Sequence, residues 1–229
     1  MTLSLPKPIL YLITPGVTTE KTTPASEEFR DLLRHVSAAI AAGIQLIQIR
    51  EKQLTARVLF ELAGSVVTIA RGTSTRVLVN DRADIAATAG ADGVHLTTTS
   101  LTADVIRKTF GAKFLIGAST HSLAEARDAF GQGADFAVFG PIFPSPSKAK
   151  YGAPLGPSKL AEATRELAQF PLLALGGISL ENVNECLLAG ASGIAGITLF
   201  GASNELANTV EKINDLAKSQ FPTRAFFNG

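Results

Sequence analysis

The stretch Thr88–Leu96, TAGADGVHL, contains the junction on which the fold turns. A glycine closes a helical pattern, and a short apolar run, Gly93-Val94-His95-Leu96, follows almost at once. Glycine ends a helix cheaply because it takes the left-handed position that a Cβ disfavours. The same junction recurs as AAGIQLIQI (41–49), GQGADFAVF (131–139) and LAGASGIAG (188–196). A helix that ends in glycine and leads straight into a buried strand is the joint of a βα repeat.

Working outward from that joint, eight short apolar runs appear: ILYLIT (9–14), LIQIRE (46–51), RVLVND (76–81), GVHLT (93–97), FLIGAST (114–120), FAVFGPI (136–142), PLLALGGI (171–178) and GIAGITLFG (193–201). Amphipathic segments lie between them, among them SEEFRDLLRHVSAAIAAG (26–43) and TARVLFELAGSVVTIARG (55–72). SLAEARDAFGQG (122–133) opens with Ser122 and places Glu125 three residues on, the spacing of a capping box. Alternation of this kind predicts parallel strands joined by crossover helices. Eight units in 229 residues predict an α/β fold, a closed TIM (β/α)8 barrel, as a single domain over 1–229. The long Pro/Ser/Gly-rich segment 143–156 is expected to be a mobile functional loop.

Apolar residues make up 46% of the chain, enough for one large core, and the formal net charge is +1. So near-neutral a chain offers no global field for nucleic acid or a membrane surface. The single cysteine, Cys186, excludes an intrachain disulfide framework and sits in an apolar context that predicts an inert core thiol. No apolar run approaches a membrane span and no signal-peptide pattern opens the chain, so a cytoplasmic protein is expected.

In such a barrel the chemistry gathers where strands end. The second run ends Gln48-Ile49-Arg50-Glu51-Lys52. Strand alternation puts Gln48, Arg50 and Lys52 on one face, two cations suited to an anionic ligand. The third run ends Asn80-Asp81, a pairing suited to Mg²⁺ beside phosphates, though Asp81 could instead cap the next helix. The fifth ends Ser119-Thr120-His121, where Ser119 and His121 share a parity and His121 is a candidate proton carrier. His95 lies nearer a strand interior and reads as a core histidine. Ser145, Ser147 and Lys148 in the long loop could close over a polyphosphate, or the lysine could serve solubility. Gly176 and Gly177 at the end of the seventh run, with the small residues before Thr198 in the eighth, suggest a phosphate site built from backbone N–H groups.

Taken together and in order, LYLIT, QIREK, VNDRADIA, GADGVHL, GASTHS, GADFAVFGPIFPSPSK and LALGGI resemble the thiamine phosphate synthase and TenI family, from Leu10 to Gly201. The resemblance implies a homo-oligomeric barrel acting on small-molecule phosphorylated substrates. Its synthase branch joins hydroxymethylpyrimidine diphosphate to thiazole phosphate and releases pyrophosphate. It implies diphosphate contacts for Arg50, Lys52, Asn80 and Lys148, with hydroxyls from Ser145 and Ser147 where synthases usually carry threonines. It further implies Asp81 as a Mg²⁺ ligand, Ser119 near the departing group, and Gly177, Ile197 and Thr198 in the thiazole phosphate site. One departure stands out: Ser100, in TTTSL (97–101), occupies the place of a second acidic Mg²⁺ ligand. The TenI branch, which includes a thiazole tautomerase needing no Mg²⁺, also lacks that acid and matches His121 within HSLAEA. A binder of thiazole phosphate or thiamine phosphate without catalysis is the third reading.

Overall fold

The structure, a computed structural model, describes residues 5–144, 153–218 and 220–221. Strands and helices alternate as the sequence pattern predicts: β1 (Ile9–Ile13), α1 (Glu27–Ala41), β2 (Leu46–Ile49), α2 (Ala56–Ala70), β3 (Arg76–Asn80), α3 (Ala83–Ala89), β4 (Gly93–Leu96) and α4 (Ala103–Phe110). The second half continues with β5 (Leu115–Thr120), α5 (Leu123–Gly131), β6 (Phe136–Phe139), α6 (Gly156–Glu166), β7 (Leu172–Ala174), α7 (Val183–Leu188), β8 (Gly193–Gly196) and α8 (Leu206–Ala217). The strands run parallel, and β1 pairs with both β2 and β8, so the sheet closes. This is a TIM barrel.

Strand alternation divides the apolar residues between two cores. Tyr11, Leu46, Leu78, Phe136, Leu173 and Ala195 fill the barrel interior. Their neighbours of opposite parity, such as Leu12, Ile47, Val79 and Ile194, face the helices in the larger outer cluster. Gly43, Gly90, Gly133 and Gly190, the glycines of the recurring junction, all have positive φ, as helix-ending glycines should.

The residue two places beyond three of those glycines has a further use. Gln45 Oε1 accepts the Leu10 N–H at 2.8 Å, Asp92 Oδ2 accepts that of Val77 at 2.8 Å, and Asp135 Oδ2 accepts that of Ile116 at 2.8 Å. In each case a side chain entering an even-numbered strand satisfies a backbone donor at the start of the strand before it. Arg107 pairs with Asp135 at 2.7 Å and donates to the carbonyls of Phe114 and Gly133, closing this end of the barrel.

The capping box forms only in part. Ser122 Oγ accepts the Glu125 N–H at 3.1 Å, but the Glu125 carboxylate takes the His121 N–H at 2.7 Å rather than that of Ser122. Cys186 is fully buried, and burial pushes its thiol up to about 12. Among the described residues, no helix is long and apolar enough to cross a membrane.

Candidate active site

Residues of interior parity climb β2 to β5 toward the mouth formed by the strand C-terminal ends. Gln48, almost wholly buried, donates from Nε2 to Asn80 Oδ1 at 2.9 Å, so the ends of β2 and β3 share a hydrogen bond. Gln48 Oε1 is buried and accepts no bond from a described residue. An unsatisfied buried acceptor costs about 1–3 kcal/mol and marks a place where a ligand donor would be welcome.

Arg50 does not follow the strand further, because β2 stops at Ile49. The Arg50 N–H donates to Thr14 Oγ1 at 2.8 Å, and its guanidinium lies beside Gly16. Glu51 fixes that loop. Its buried carboxylate accepts the Gly16 N–H at 3.0 Å, the Thr18 N–H at 3.1 Å and the Thr18 hydroxyl at 2.7 Å. Glu51 thus ties the β1–α1 loop to the β2–α2 loop and holds Arg50 between them. The sequence reading missed this role; an acidic residue between Arg50 and Lys52 is its only trace. Since the strand has ended, alternation no longer fixes where Lys52 points. Lys52 is exposed and lines a cavity together with Ile49 and Asn80.

That cavity has a volume of about 260 Å³ and lies over the ends of β2, β3 and β4. Glu51, Lys52, Asn80, Asp81, Arg82, Thr97 and Thr99 line its polar side. Arg82 is held by Asp84 in a two-armed pair at 2.9 and 2.7 Å, which leaves Lys52 as the less committed cation. The helix-capping alternative for Asp81 does not hold: Arg82 is the N-cap of α3, and no side chain caps it. Asp81 instead has φ 61°, a left-handed position that Asp tolerates better than most residues. Its N–H donates to the His95 carbonyl at 2.9 Å, and its Oδ1 accepts the Ser100 hydroxyl. Ser100 Oγ in turn accepts the Thr97 N–H at 2.7 Å.

Ser119, on β5, is not among the residues that line this cavity. Its Oγ lies 3.0 Å from His95 Nε2, and His95 Nδ1 lies 3.1 Å from the Tyr11 hydroxyl. Phe136 walls the pair, with ring centroids 5.6 Å from Tyr11 and 6.1 Å from His95. Burial drops the His95 imidazole to about 3 and raises the Tyr11 phenol, so both are neutral at ordinary pH. His95 is a core histidine as expected, but it also carries a polar connection up to the mouth. His121, beyond the end of β5, has Nδ1 3.3 Å from Glu125 Oε2.

Gly176 and Gly177 have φ 100° and 64°. The close approach they permit is to protein rather than to open space. A Cβ on Gly177 would meet the Pro144 and Phe143 carbonyl oxygens at 2.4 and 2.7 Å, and one on Gly176 would meet Pro141 Cβ at 2.6 Å. The glycines therefore seat the start of the β6–α6 loop, where the Phe143 N–H donates to the Gly176 carbonyl at 2.9 Å. Ile197 packs partly buried against the interior core, and Thr198 is exposed in the turn after β8. Ser145, Ser147 and Lys148 lie outside the described residues.

Among the described residues, no three His, Cys, Asp or Glu side chains gather as a metal cluster. Of the two acidic residues in the lining, Glu51 is engaged by Gly16 and Thr18, which leaves Asp81, with hydroxyls around it, as the carboxylate for a cation. That donor set fits Mg²⁺, which commonly keeps several waters and takes one or two carboxylates together with substrate phosphates.

A family model described as thiamine monophosphate synthase matches residues 11–200. The chain is 49% identical to a putative thiamine-phosphate synthase of Geobacter sulfurreducens over 72% of this chain and 78% of that one. It is 42% identical to the thiamine-phosphate synthase of Chlorobium luteolum over 83% and 84%. Among solved structures, a thiamine phosphate pyrophosphorylase from Pyrococcus furiosus superposes with a TM-score of 0.76 at 28% identity, covering 92% of this chain and 96% of that one.

Proposed function

The chain belongs to the thiamine monophosphate synthase family, and on that premise we propose that it joins hydroxymethylpyrimidine diphosphate to thiazole phosphate, yielding thiamine phosphate and pyrophosphate. The observation that carries the reading is the cavity over β2–β4, where Lys52 and Asn80 stand with the Asp81 carboxylate. A cation and an amide beside the Asp81 acid suit a diphosphate better than a monophosphate.

In this reaction the bond between the pyrimidine methylene carbon and the diphosphate oxygen breaks, and its electron pair leaves with pyrophosphate. The thiazole nitrogen lone pair then forms the new C–N bond, and the positive charge passes to the thiazolium. No proton has to move in either step. The protein's work is to hold the two substrates in line and to stabilise negative charge on the departing group. Lys52 and Arg50 supply fixed positive charge, Glu51 holds the loop that carries Arg50, and Gln48 orients Asn80. Ser119 donates toward the departing group. Lys148, Ser145 and Ser147 take diphosphate contacts on the strength of the family resemblance, as Gly177, Ile197 and Thr198 take the thiazole phosphate. Asp81 would hold Mg²⁺, whose charge offsets that building on the diphosphate. The same reading puts the enzyme in the cytoplasm, as a homo-oligomer of one-domain chains.

One observation favours a second reading. His121 is oriented by Glu125, and Asp81 is engaged by a hydroxyl where a second acid would stand, an arrangement a Mg²⁺-independent thiazole tautomerase would also tolerate. Incubating the protein with both substrate sets, with Mg²⁺ or with EDTA, tests the two. Pyrophosphate release that EDTA abolishes is expected. EDTA-insensitive isomerisation of carboxythiazole phosphate without pyrophosphate release would establish the tautomerase, and tight binding of thiamine phosphate without turnover would establish a binder.

A further inference from the structure

We propose that Tyr11 and His95 are positioning residues: through a buried relay they fix Ser119 as a hydrogen-bond donor aimed out of the barrel mouth at an anionic oxygen of the departing diphosphate. The target oxygen rests on the proposed reaction; the direction of the relay does not.

The direction follows from counting protons. Tyr11 is fully buried in β1, and its hydroxyl proton needs an acceptor. The partner within reach is His95 Nδ1 at 3.1 Å. Phe136 packs edge-on against the phenol ring at 79° and supplies no acceptor oxygen or nitrogen. Tyr11 therefore donates, and Nδ1 accepts. A neutral imidazole with Nδ1 accepting carries its proton on Nε2. Nε2–H then donates to Ser119 Oγ across 3.0 Å. Ser119 Oγ receives that bond and makes no other hydrogen bond among the described residues, so its own proton is left for a ligand.

The arrangement has the parts of a serine–histidine pair but runs in the reverse sense. A nucleophilic serine needs a histidine whose Nδ1 is protonated, so that Nε2 can take the hydroxyl proton. With Tyr11 in the place of a carboxylate, Nε2 is already occupied. Ser119 is neither a nucleophile nor a base here; it is held as a donor, which suits a reaction whose difficulty is the departure of an anion. Gly117 makes the relay geometrically feasible. A Cβ at that position would lie 2.5 Å from Phe136 Cζ and 2.7 Å from His95 Nδ1.

The first measurement is the ¹⁵N NMR spectrum of histidine-labelled, ligand-free protein. It should show His95 Nδ1 pyridine-like and Nε2 pyrrole-like; the opposite tautomer overturns the relay. The second is a kinetic cycle. Tyr11→Phe removes only the hydroxyl and should lower kcat for pyrophosphate release by about tenfold, with little change in KM for thiazole phosphate. The effect should vanish in a Ser119→Ala background. Equal losses in both backgrounds would overturn the coupling. Should Tyr11→Phe fail to fold, the wild-type tautomer still decides. A protein that releases no pyrophosphate would overturn the proposed reaction, while the NMR result would continue to judge the relay.

Discussion

The Ser100 hydroxyl donates to Asp81 Oδ1 and so joins the loops after β4 and β3 beside the cavity that Asp81 lines. One carboxylate in this cavity thus has a neutral donor where a second acid could stand. Ser100→Asp would set two carboxylates against each other, which destabilises the protein until a cation bridges them. Without Mg²⁺ the variant should lose about 1 kcal/mol of stability, and added Mg²⁺ should raise its melting temperature more than that of the unaltered protein. Thermal melts across a Mg²⁺ titration check this without reference to turnover. Equal Mg²⁺ shifts in both proteins would argue that Asp81 is not a metal ligand.

Glu51 should matter to stability and to substrate affinity together. Glu51→Ala leaves two backbone N–H groups and the Thr18 hydroxyl without their shared acceptor. A loss of about 2–4 kcal/mol in urea unfolding is expected. Because the same loop carries Arg50, KM for the pyrimidine diphosphate should rise more than KM for thiazole phosphate.

His95 predicts a pH dependence of stability. Its imidazole is held near 3 when folded and returns to about 6.5 when unfolded. Between those values the unfolded chain binds the extra proton, so the contribution is complete above about pH 6.5 and falls as the solution is acidified. Relative to His95→Gln, the unaltered protein should lose up to about 1.4 kcal/mol per pH unit across that window. Urea unfolding at pH 7, 6 and 5 tests it; parallel curves would remove the buried neutral histidine from the account.

Gly177→Val should damage the protein before any phosphate is involved. The new side chain would meet the carbonyl oxygens of Phe143 and Pro144 and would have to adopt a φ of 64°. A destabilisation of about 2 kcal/mol or more is expected, read from the denaturation midpoint. A variant of unchanged stability with weakened thiazole phosphate binding would instead assign Gly177 directly to the phosphate.

The barrel was legible in the sequence because its signal is periodic: glycine joints and eight apolar runs repeat, Gln48 and Ser119 could be read from strand alternation, and Asn80 from its place at the end of a run. The reading could not extend to Lys52, since alternation ends with the strand and β2 stops at Ile49. It treated His95 as core packing alone because its partners, Tyr11 and Ser119, stand 84 and 24 residues away on other strands. Tyr11 sits in ILYLI, where an apolar run hides one hydroxyl. Glu51 was masked by the cations on either side of it. Periodicity reports which face a residue occupies; it does not report which proton it gives or receives.

The side chains of Gln45, Asp92 and Asp135 stitch the strands two by two: β1 to β2, β3 to β4, and β5 to β6. The barrel therefore has preferred seams. New termini placed in the turn between α2 and β3, near residues 72–74, would leave each of these three stitches within one fragment, although Gln48–Asn80 and Thr75–Ile44 bonds still cross that seam. A break between α3 and β4, near residues 89–91, would separate Asp92 from Val77. Circular permutants and split halves opened at the first seam should reassemble more readily than those opened at the second, even though both cuts fall in short surface turns on the same side of the barrel.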